Sequence, residues 1–154
     1  MSDRPIVLTR RLKTESNKKC LILSLSAEER TRLRGYRKTT CGKEVILHLP
    51  REGPLMHGDL LAGESPLPEV LVEAAVEDLI LVRSNSILEL IKAAYHLGNR
   101  HVDLELHSTE LFLLKDPVLE KMLKSRGLIV QSSKKPFSPE LGAYSEMHNH
   151  KHHL

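Results

Sequence analysis

Histidine is the residue type of this chain whose spacing most clearly offers chemistry. Six of the nine histidines fall in two stretches, "YHLGNRHV" at residues 95–102 and "HNHKHHL" at residues 148–154. A neutral imidazole is a borderline ligand that suits nickel, copper and zinc ions. The second stretch holds four candidate ligands, close enough for two or more to reach one ion, as in other short histidine-rich tracts: His148, His150, His152 and His153.

The polar segment around these four histidines predicts a disordered, mobile tail over residues 145–154. A mobile segment must be ordered when it binds an ion, so its affinity should be modest and its exchange quick. Those properties suit carrying an ion more than holding it permanently. Asn149 and Lys151 interrupt the histidines, which argues against an expression tag. A polar tail without a task stays open as an alternative.

His101 differs from the tail histidines because the sequence predicts it at a fixed place, where a helix ends and a strand begins. A single histidine is more often structural than a ligand, and one imidazole cannot make a metal site. A two-fold dimer would supply two such side chains, and isologous dimers are the commonest oligomers. We therefore consider a surface site of two His101 imidazoles, completed by outside ligands that the tail could supply.

The remaining histidines are interpreted as structural. His96 lies within the predicted helix, His48 in a predicted strand and His57 in a turn. His107 is predicted on the same strand face as His101, but six residues of extended strand would separate them by about 20 Å. The two side chains therefore should not bind one ion within a single subunit.

The first half of the chain predicts a small all-β domain over residues 1–74. Its β-rich runs, at residues 6–12, 20–26 and 44–49, are bounded by turn residues. Arginine alternates with other residues in the series Arg30, Arg32 and Arg34. On a strand this spacing would place all three guanidinium groups on one face, which is either simply solvated or contacts an anionic partner.

The second half, residues 75–144, changes character. An apolar strand over residues 77–84 is followed by Ser86 and Glu89, which fit a capping box. Gly98 is placed to end the helix in a left-handed conformation. Between these signals lies one helical stripe of apolar residues with the spacing i, i+3, i+4, i+7 and i+8: Ile87, Leu90, Ile91, Ala94 and Tyr95.

From residue 101 the apolar period switches to two, which predicts a strand over residues 101–107. Its apolar side chains Val102, Leu104 and Leu106 would share one face. The opposite face would carry the polar members of the series: His101, Asp103, Glu105 and His107.

A further strand is predicted over residues 110–114, and Asp116 followed by Pro117 marks the start of a second helix. A last strand covers residues 128–133. The order β-α-β-β-α-β is the ferredoxin-like pattern, a fold that by itself says little about function. The predicted class is therefore α+β, with a small all-β domain, a ferredoxin-like domain and a tail.

Composition limits the class of protein. The chain is 40% apolar, which is enough to bury a core, and its net charge of +3 falls short of a dedicated nucleic-acid binder. Cys20 and Cys41 have no metal-binding spacing and no neighbours that predict a lowered thiol pKa, so both are expected to be reduced and structural. No signal-peptide pattern and no apolar run of ~20 residues occur, which predicts a cytoplasmic protein without a membrane partner.

Enzyme motifs are missing from the sequence, which has no HExxH, no GxSxG and no phosphate loop. A zinc hydrolase is one alternative, but no general base is placed beside the candidate ligands. Nucleic-acid binding is another, since ferredoxin-like sheets can bind RNA, but the predicted sheet offers only Phe112 for stacking on bases. We therefore predict a non-enzymatic metal-binding protein.

Several motifs form a specific combination: "GNRH" at residues 98–101, "PELGAY" at residues 139–144, and a histidine-containing end. With "RTRLR", "LHLPREGPLMHGDLL", "DPVLEKML" and "GLIV", the matching stretches run nearly from end to end. In these motifs the chain resembles the UreE family of urease accessory proteins, the nickel metallochaperones of urease maturation.

The resemblance implies a partner-binding β domain followed by a ferredoxin-like domain that binds metal. It implies a homodimer, able to form a higher oligomer with metal, in which His101 of each subunit meets its mate at the interface. Ni²⁺ would bind there with tail histidines, His150 and His148 before His152 and His153, and Zn²⁺ or Cu²⁺ could occupy the same site in vitro. The ion would then pass to the urease apoprotein through the accessory GTPase UreG and the other maturation proteins.

Two departures from the family pattern matter. Some members carry a pair of histidines just before the second helix, where this chain has Lys115 and Pro117 around Asp116, so that extra site should be missing. Some members also carry longer tails with many more histidines. The shorter series in this chain favours delivery of one ion per dimer over bulk storage of nickel.

Overall fold

The structure of the protein is a computed structural model that describes residues 4–13, 20–65 and 68–142. The chain divides into two compact units, the first reaching Ala75 and the second starting at Val76. Among the described residues, no helix is long and apolar enough to cross a membrane. The predicted tail over residues 145–154 lies outside the described residues.

Within its described residues, the first unit consists of strands in two sheets and one single-turn helix. Its elements are β1 (Ile6–Leu8), β2 (Arg10–Leu12), β3 (Leu21–Leu25), α1 (Ala27–Arg30), β4 (Arg34–Lys38), β5 (Glu44–His48), β6 (Leu60–Ala62) and β7 (Val70–Ala74). One sheet has the strand order β1-β5-β4, and the other has the order β2-β6-β7-β3. One apolar cluster takes side chains from both sheets, including Leu8, Val45, Leu61 and Val72. Two sheets that bury their apolar faces against each other make a β sandwich-like core.

The predicted arginine face is not formed. Arg30 is the last residue of α1 and is only 4% exposed, whereas Arg34 begins β4. The cause is a capping box: the Glu29 N–H donates to Ser26 Oγ at 3.1 Å, and the Ser26 N–H donates to the Glu29 carboxylate at 2.9 Å. This pair starts a helix where the alternation predicted a strand, so the prediction that Arg30, Arg32 and Arg34 share a face is wrong.

The second unit has the predicted β-α-β-β-α-β order. Its elements are β8 (Val76–Arg83), α2 (Ile87–Asn99), β9 (Glu105–Leu106), β10 (Glu110–Leu114), α3 (Pro117–Ser125) and β11 (Ile129–Pro136). The sheet has the order β11-β8-β10-β9, and all three pairings are antiparallel. The prediction of an α+β protein with a ferredoxin-like domain is confirmed.

Both helices of the second unit pack against its sheet. The shared apolar cluster takes Leu90, Ala93 and Leu97 from α2 and Leu119 and Leu123 from α3. Each fully buried leucine contributes about 1.5–3 kcal/mol relative to an exposed one. Leu97 is completely buried, so the last turn of α2 is anchored in the core.

Helix α2 carries a second apolar face that points away from the core. The predicted single stripe is therefore only partly right, because Leu90 is buried while Ile87, Ile91 and Tyr95 are not. Four apolar side chains of α2 are 58–66% exposed, and we call them the α2 apolar face: Ile87, Leu88, Ile91 and Tyr95. The buried face uses Ala93 and Leu97, positions that the stripe did not include.

The predicted strand over residues 101–107 is wrong except near its end. Strand β9 covers only Glu105–Leu106, and the preceding residues form the turn that ends α2. Glu105 is 6% exposed and Leu106 is 46% exposed, the reverse of the predicted faces. Period-two alternation does not apply here because the backbone over residues 101–104 is not extended in a sheet.

The C-terminal end of α2 is a Schellman motif with histidine at its left-handed position. The Val102 N–H donates to the Leu97 carbonyl at 3.1 Å, and the His101 N–H donates to the Gly98 carbonyl at 3.0 Å. His101 has a φ of 60°, and no other non-glycine residue in the described ranges has a positive φ. Gly98, which the sequence predicts in this conformation, lies inside the helix instead.

Helix α3 ends in the same motif with glycine in the corresponding place. The Leu128 N–H donates to the Leu123 carbonyl at 3.2 Å, the Gly127 N–H donates to the Lys124 carbonyl at 3.0 Å, and Gly127 has a φ of 82°. Glycine adopts this conformation without a clash, whereas a residue with a Cβ is less stable there by about 1–2 kcal/mol. His101 is therefore a strained residue at an otherwise ordinary helix end.

We predict that His101→Gly is more stable to urea than His101→Ala. Alanine keeps the Cβ clash and glycine removes it, which should leave a difference of about 1 kcal/mol after the greater freedom of glycine in the unfolded chain. Gly127→Ala is the matched control and should lower the free energy of unfolding by about 1 kcal/mol. Urea denaturation of metal-free protein at one protein concentration measures all three. Equal stability of the two His101 variants would show that the position is not strained.

Candidate metal-binding site

His101 is exposed at the end of α2, and its backbone is fixed on both sides. Its own N–H and that of Val102 are bonded to the last turn of the helix, so the imidazole leaves the chain from a defined point. Non-glycine residues in the left-handed region cost about 1–3 kcal/mol and cluster at functional sites. This strain distinguishes His101 from the other histidines that the structure describes.

Other described histidines contact protein groups that explain them. His57 Nδ1 accepts a hydrogen bond from the Ala74 N–H at 3.1 Å. The ring of His96 meets that of Tyr95 edge-on, with 5.4 Å between their centroids. His48 is the last residue of β5. These contacts support the structural interpretation of His57 and His96, whereas His48 is exposed.

Glu105 in β9 is the buried centre of a polar cluster whose other side chains are partly exposed. Its carboxylate is paired with Lys135 Nζ, accepts from His107 Nε2 at 2.6 Å, and accepts from the Ser138 N–H at 2.8 Å. Phe112 lies against the cluster, with Lys135 Nζ 4.1 Å from the ring centroid and the His107 ring centroid at 5.5 Å. The Glu105 side chain is only 8% exposed, so these partners replace water around it.

Burial alone would raise the pKa of Glu105, but hydrogen bonds from Lys135, His107 and the Ser138 N–H outweigh it and hold the pKa below its usual value. The carboxylate is therefore charged at neutral pH, and His107 donates to it from Nε2. Because the pKa is lower in the folded chain, this stabilisation is present at neutral pH. It is lost only as the pH falls below about 4.3 through the folded value.

The chain after β11 returns to the loop that follows His101. Phe137 is 1% exposed, and the Glu140 N–H donates to the Leu104 carbonyl at 2.7 Å. Leu104 lies three residues after His101. The described part of the chain, which ends at Gly142, therefore passes beside the His101 loop just before its last residues.

The structure gives a position to only one of the predicted ligands. His148, His150, His152 and His153 lie outside the described residues. Within residues 4–13, 20–65 and 68–142, no three His, Cys, Asp or Glu side chains are grouped so that they could hold a metal ion. His101 is thus the one predicted ligand that lies among the described residues.

Two chemical features were missed by the sequence analysis. The pKa of Cys41 is lowered by a hydrogen bond with the Thr39 hydroxyl, 3.3 Å from Sγ, and by the backbone N–H and charge of Lys43. The expectation that no neighbour lowers a thiol pKa is therefore wrong; the Thr-x-Cys-x-Lys spacing in a turn was the available signal. The second feature is Glu105, which alternation placed on a polar face and which is in fact buried.

Similarity to known proteins extends over both units. The chain matches a family model of the UreE urease accessory protein, N-terminal domain, at residues 8–66, and one of the C-terminal domain at residues 77–154. The urease accessory protein UreE of Synechococcus sp. (strain WH7805) is 58% identical over 130 residues, covering 84% of this chain and 74% of that protein. The protein of the same name from Parasynechococcus marenigrum (strain WH8102) is 50% identical over 145 residues, covering 94% and 97%.

A third relative, the urease accessory protein UreE of Synechococcus sp. (strain CC9311), is 56% identical over 122 residues, which cover 79% of each chain. The C-terminal family model spans the whole second unit from β8 onward, including the capped end of α2 and the chain after β11. The chain therefore belongs to the UreE family of urease accessory proteins.

Proposed function

We propose that the protein is a nickel metallochaperone, which binds Ni²⁺ and delivers it to apo-urease during assembly of the urease active site. The observation that carries the proposal is His101, an exposed imidazole fixed in a strained position at the end of a helix with an exposed apolar face. Membership of the UreE family supports nickel as the cargo. In this proposal the protein carries the ion as cargo and catalyses no reaction.

The α2 apolar face supports a homodimer in which two copies of the helix meet. Ile91 and Tyr95 are 59% and 66% exposed, and contiguous exposed apolar surface is typical of protein interfaces. An isologous contact pairs the same surface of both copies. Since His101 ends the same helix, a two-fold axis near that end brings the two His101 imidazoles together.

Gly98 fits a close approach of two such helices. It lies seven residues after Ile91, on the same side of α2, and a Cβ built on it would meet nothing within 4 Å. Glycine inside a helix is less stable than alanine by about 1 kcal/mol, and no contact among the described residues requires a glycine at this position. A missing side chain there would let the backbone of a second copy come near.

The tail histidines have enough chain to reach His101. Glu140 is fixed to Leu104, and His148 follows Glu140 by eight residues. Eight extended residues span about 27 Å, whereas the three residues from His101 to Leu104 span at most about 10 Å. We propose His150 and His148 as the first additional ligands, with His152 and His153 as alternates.

The histidine ligands limit the choice of metal ion but do not by themselves select nickel. Imidazole sites bind Cu²⁺ more tightly than Ni²⁺ and also accept Zn²⁺, so both ions should compete in vitro. The assignment of Ni²⁺ rests on the family. Two shared His101 side chains favour one ion per dimer, and four tail histidines are few for bulk storage.

Delivery would take place in the cytoplasm, through the accessory GTPase UreG and the remaining maturation proteins to the urease apoprotein. We assign partner contacts to residues 1–74, metal binding and dimerisation to residues 75–144, and the additional ligands to residues 145–154. Metal bound by tails of different dimers could join them into a higher oligomer. The proposal includes no nucleic-acid or membrane partner.

We predict that His101→Ala weakens the tightest nickel site by more than about 100-fold. The change removes two ligands per dimer, and even loss of an outer-shell partner typically costs 10–100-fold in metal affinity. His48→Ala is the matched control, since His48 is also an exposed histidine, and it should leave affinity unchanged. A tail-alanine variant with His148, His150, His152 and His153 replaced should show an intermediate loss. Equilibrium dialysis with Ni²⁺ measures these affinities, and an intact tight site in His101→Ala would refute the site.

We predict that Ile91→Glu makes the protein monomeric at micromolar concentration. A charge at Ile91 would be buried without a partner against the second copy, and the cost of its desolvation would oppose association. Val118→Glu, on α3 at 72% exposure, is the control and should stay dimeric. Sedimentation velocity gives the oligomeric state, and circular dichroism checks that both variants fold. A dimer of Ile91→Glu as tight as wild type would exclude this face as the interface.

A further inference from the structure

The cluster around Glu105 joins three parts of the second unit. Glu105 lies in β9, Lys135 lies in β11, and Ser138 lies two residues after β11 ends. We call Glu105, Lys135 and Ser138 the tail clasp. Both carboxylate oxygens are used, since Oε1 accepts from the Ser138 N–H while Oε2 pairs with Lys135 and accepts from His107.

Stability alone does not explain a charged pair at this position. Apolar side chains of similar volume often replace a buried ion pair with equal or greater stability, whereas an unpaired buried charge is strongly unfavourable. A buried carboxylate therefore tolerates only the arrangement that supplies all its donors. In the tail clasp that requirement fixes the chain after β11 at one place relative to β9.

A second tie lies next to the clasp. The Glu140 N–H donates to the Leu104 carbonyl at 2.7 Å, and Phe137, the residue that directly follows β11, is buried. On the other side of Leu104, the Schellman motif fixes His101 and Val102. The loop that presents His101 and the segment that leads into the tail are therefore held to each other through residues 101–105.

We infer that Glu105 is a positioning residue, which holds residues 137–142 beside the His101 loop and thereby raises the local concentration of tail histidines at the nickel ion. The inference rests on the proposed function. Without these two contacts, the last held residue would be the buried Phe137 instead of Glu140, so eleven residues instead of eight would separate it from His148. For a flexible linker, local concentration falls roughly as the −3/2 power of length, which gives a loss of about 1.6-fold from length alone.

The first test compares nickel affinity in two full-length backgrounds, wild type and the tail-alanine variant. Glu105→Gln and Lys135→Met should each weaken Ni²⁺ binding by about 1.6-fold in wild type and leave it unchanged in the tail-alanine background. Lys134→Met is the matched control, because Lys134 is exposed and pairs with the exposed Asp78 at 3.7 Å. An equal loss in both backgrounds would mean that the clasp acts on His101 or on folding, and no loss in either would also overturn the inference.

The second test needs no metal and therefore separates this inference from the nickel function. Amide hydrogen exchange at Ser138 and Glu140 should become at least tenfold faster in Glu105→Gln, while the amides of His101 and Val102 keep their wild-type rates. Unchanged exchange at Ser138 and Glu140 would disprove the clasp even if nickel binds as proposed. If wild type binds no nickel, the proposed function fails and the positioning role falls with it, whatever the exchange rates show.

Discussion

The candidate site depends on the hydrogen bonds that cap the C-terminal end of α2. Two backbone hydrogen bonds close the helix over Leu97 and Gly98, and the Leu97 and Val102 side chains pack in the same apolar cluster. Full burial of Leu97 contributes about 1.5–3 kcal/mol. A left-handed histidine costs about 1–2 kcal/mol, so burial of the cap is enough to hold His101 in its strained conformation. The fold thus fixes an imidazole where glycine would be more stable.

Three features of the second unit meet at this helix end. The α2 apolar face leads to it, the loop over residues 101–104 starts from it, and the tail clasp holds the segment directly after β11 beside that loop. A resident metal site is normally closed by ligands on rigid elements. Here the described residues contain one of the proposed ligands per chain, His101, and the remaining ligands are proposed from a second copy and from the tail. That division suits an ion that must be released to another protein.

Local signals in the sequence predicted most of the second unit. Asp116 accepts from the Val118 and Leu119 N–H groups, as its N-cap position predicts, and the family resemblance and the non-enzymatic class are confirmed by the comparisons. What could not be predicted depends on distant residues. Glu105 points inward because Lys135 and Ser138, 30 and 33 residues away, supply its donors. Likewise, periodicity identified the apolar residues of α2 but not which of them the sheet would cover.

The central claim is that one nickel ion is shared by His101 of two copies across a two-fold axis. Mixed dimers, with one wild-type subunit and one His101→Ala subunit, test it most directly when nickel bound per dimer is measured by dialysis and metal analysis. The account predicts one tightly bound ion in the wild-type dimer and none at that affinity in the mixed dimer. A mixed dimer that keeps half of the tightly bound nickel would contradict it, because each subunit would then hold its own ion.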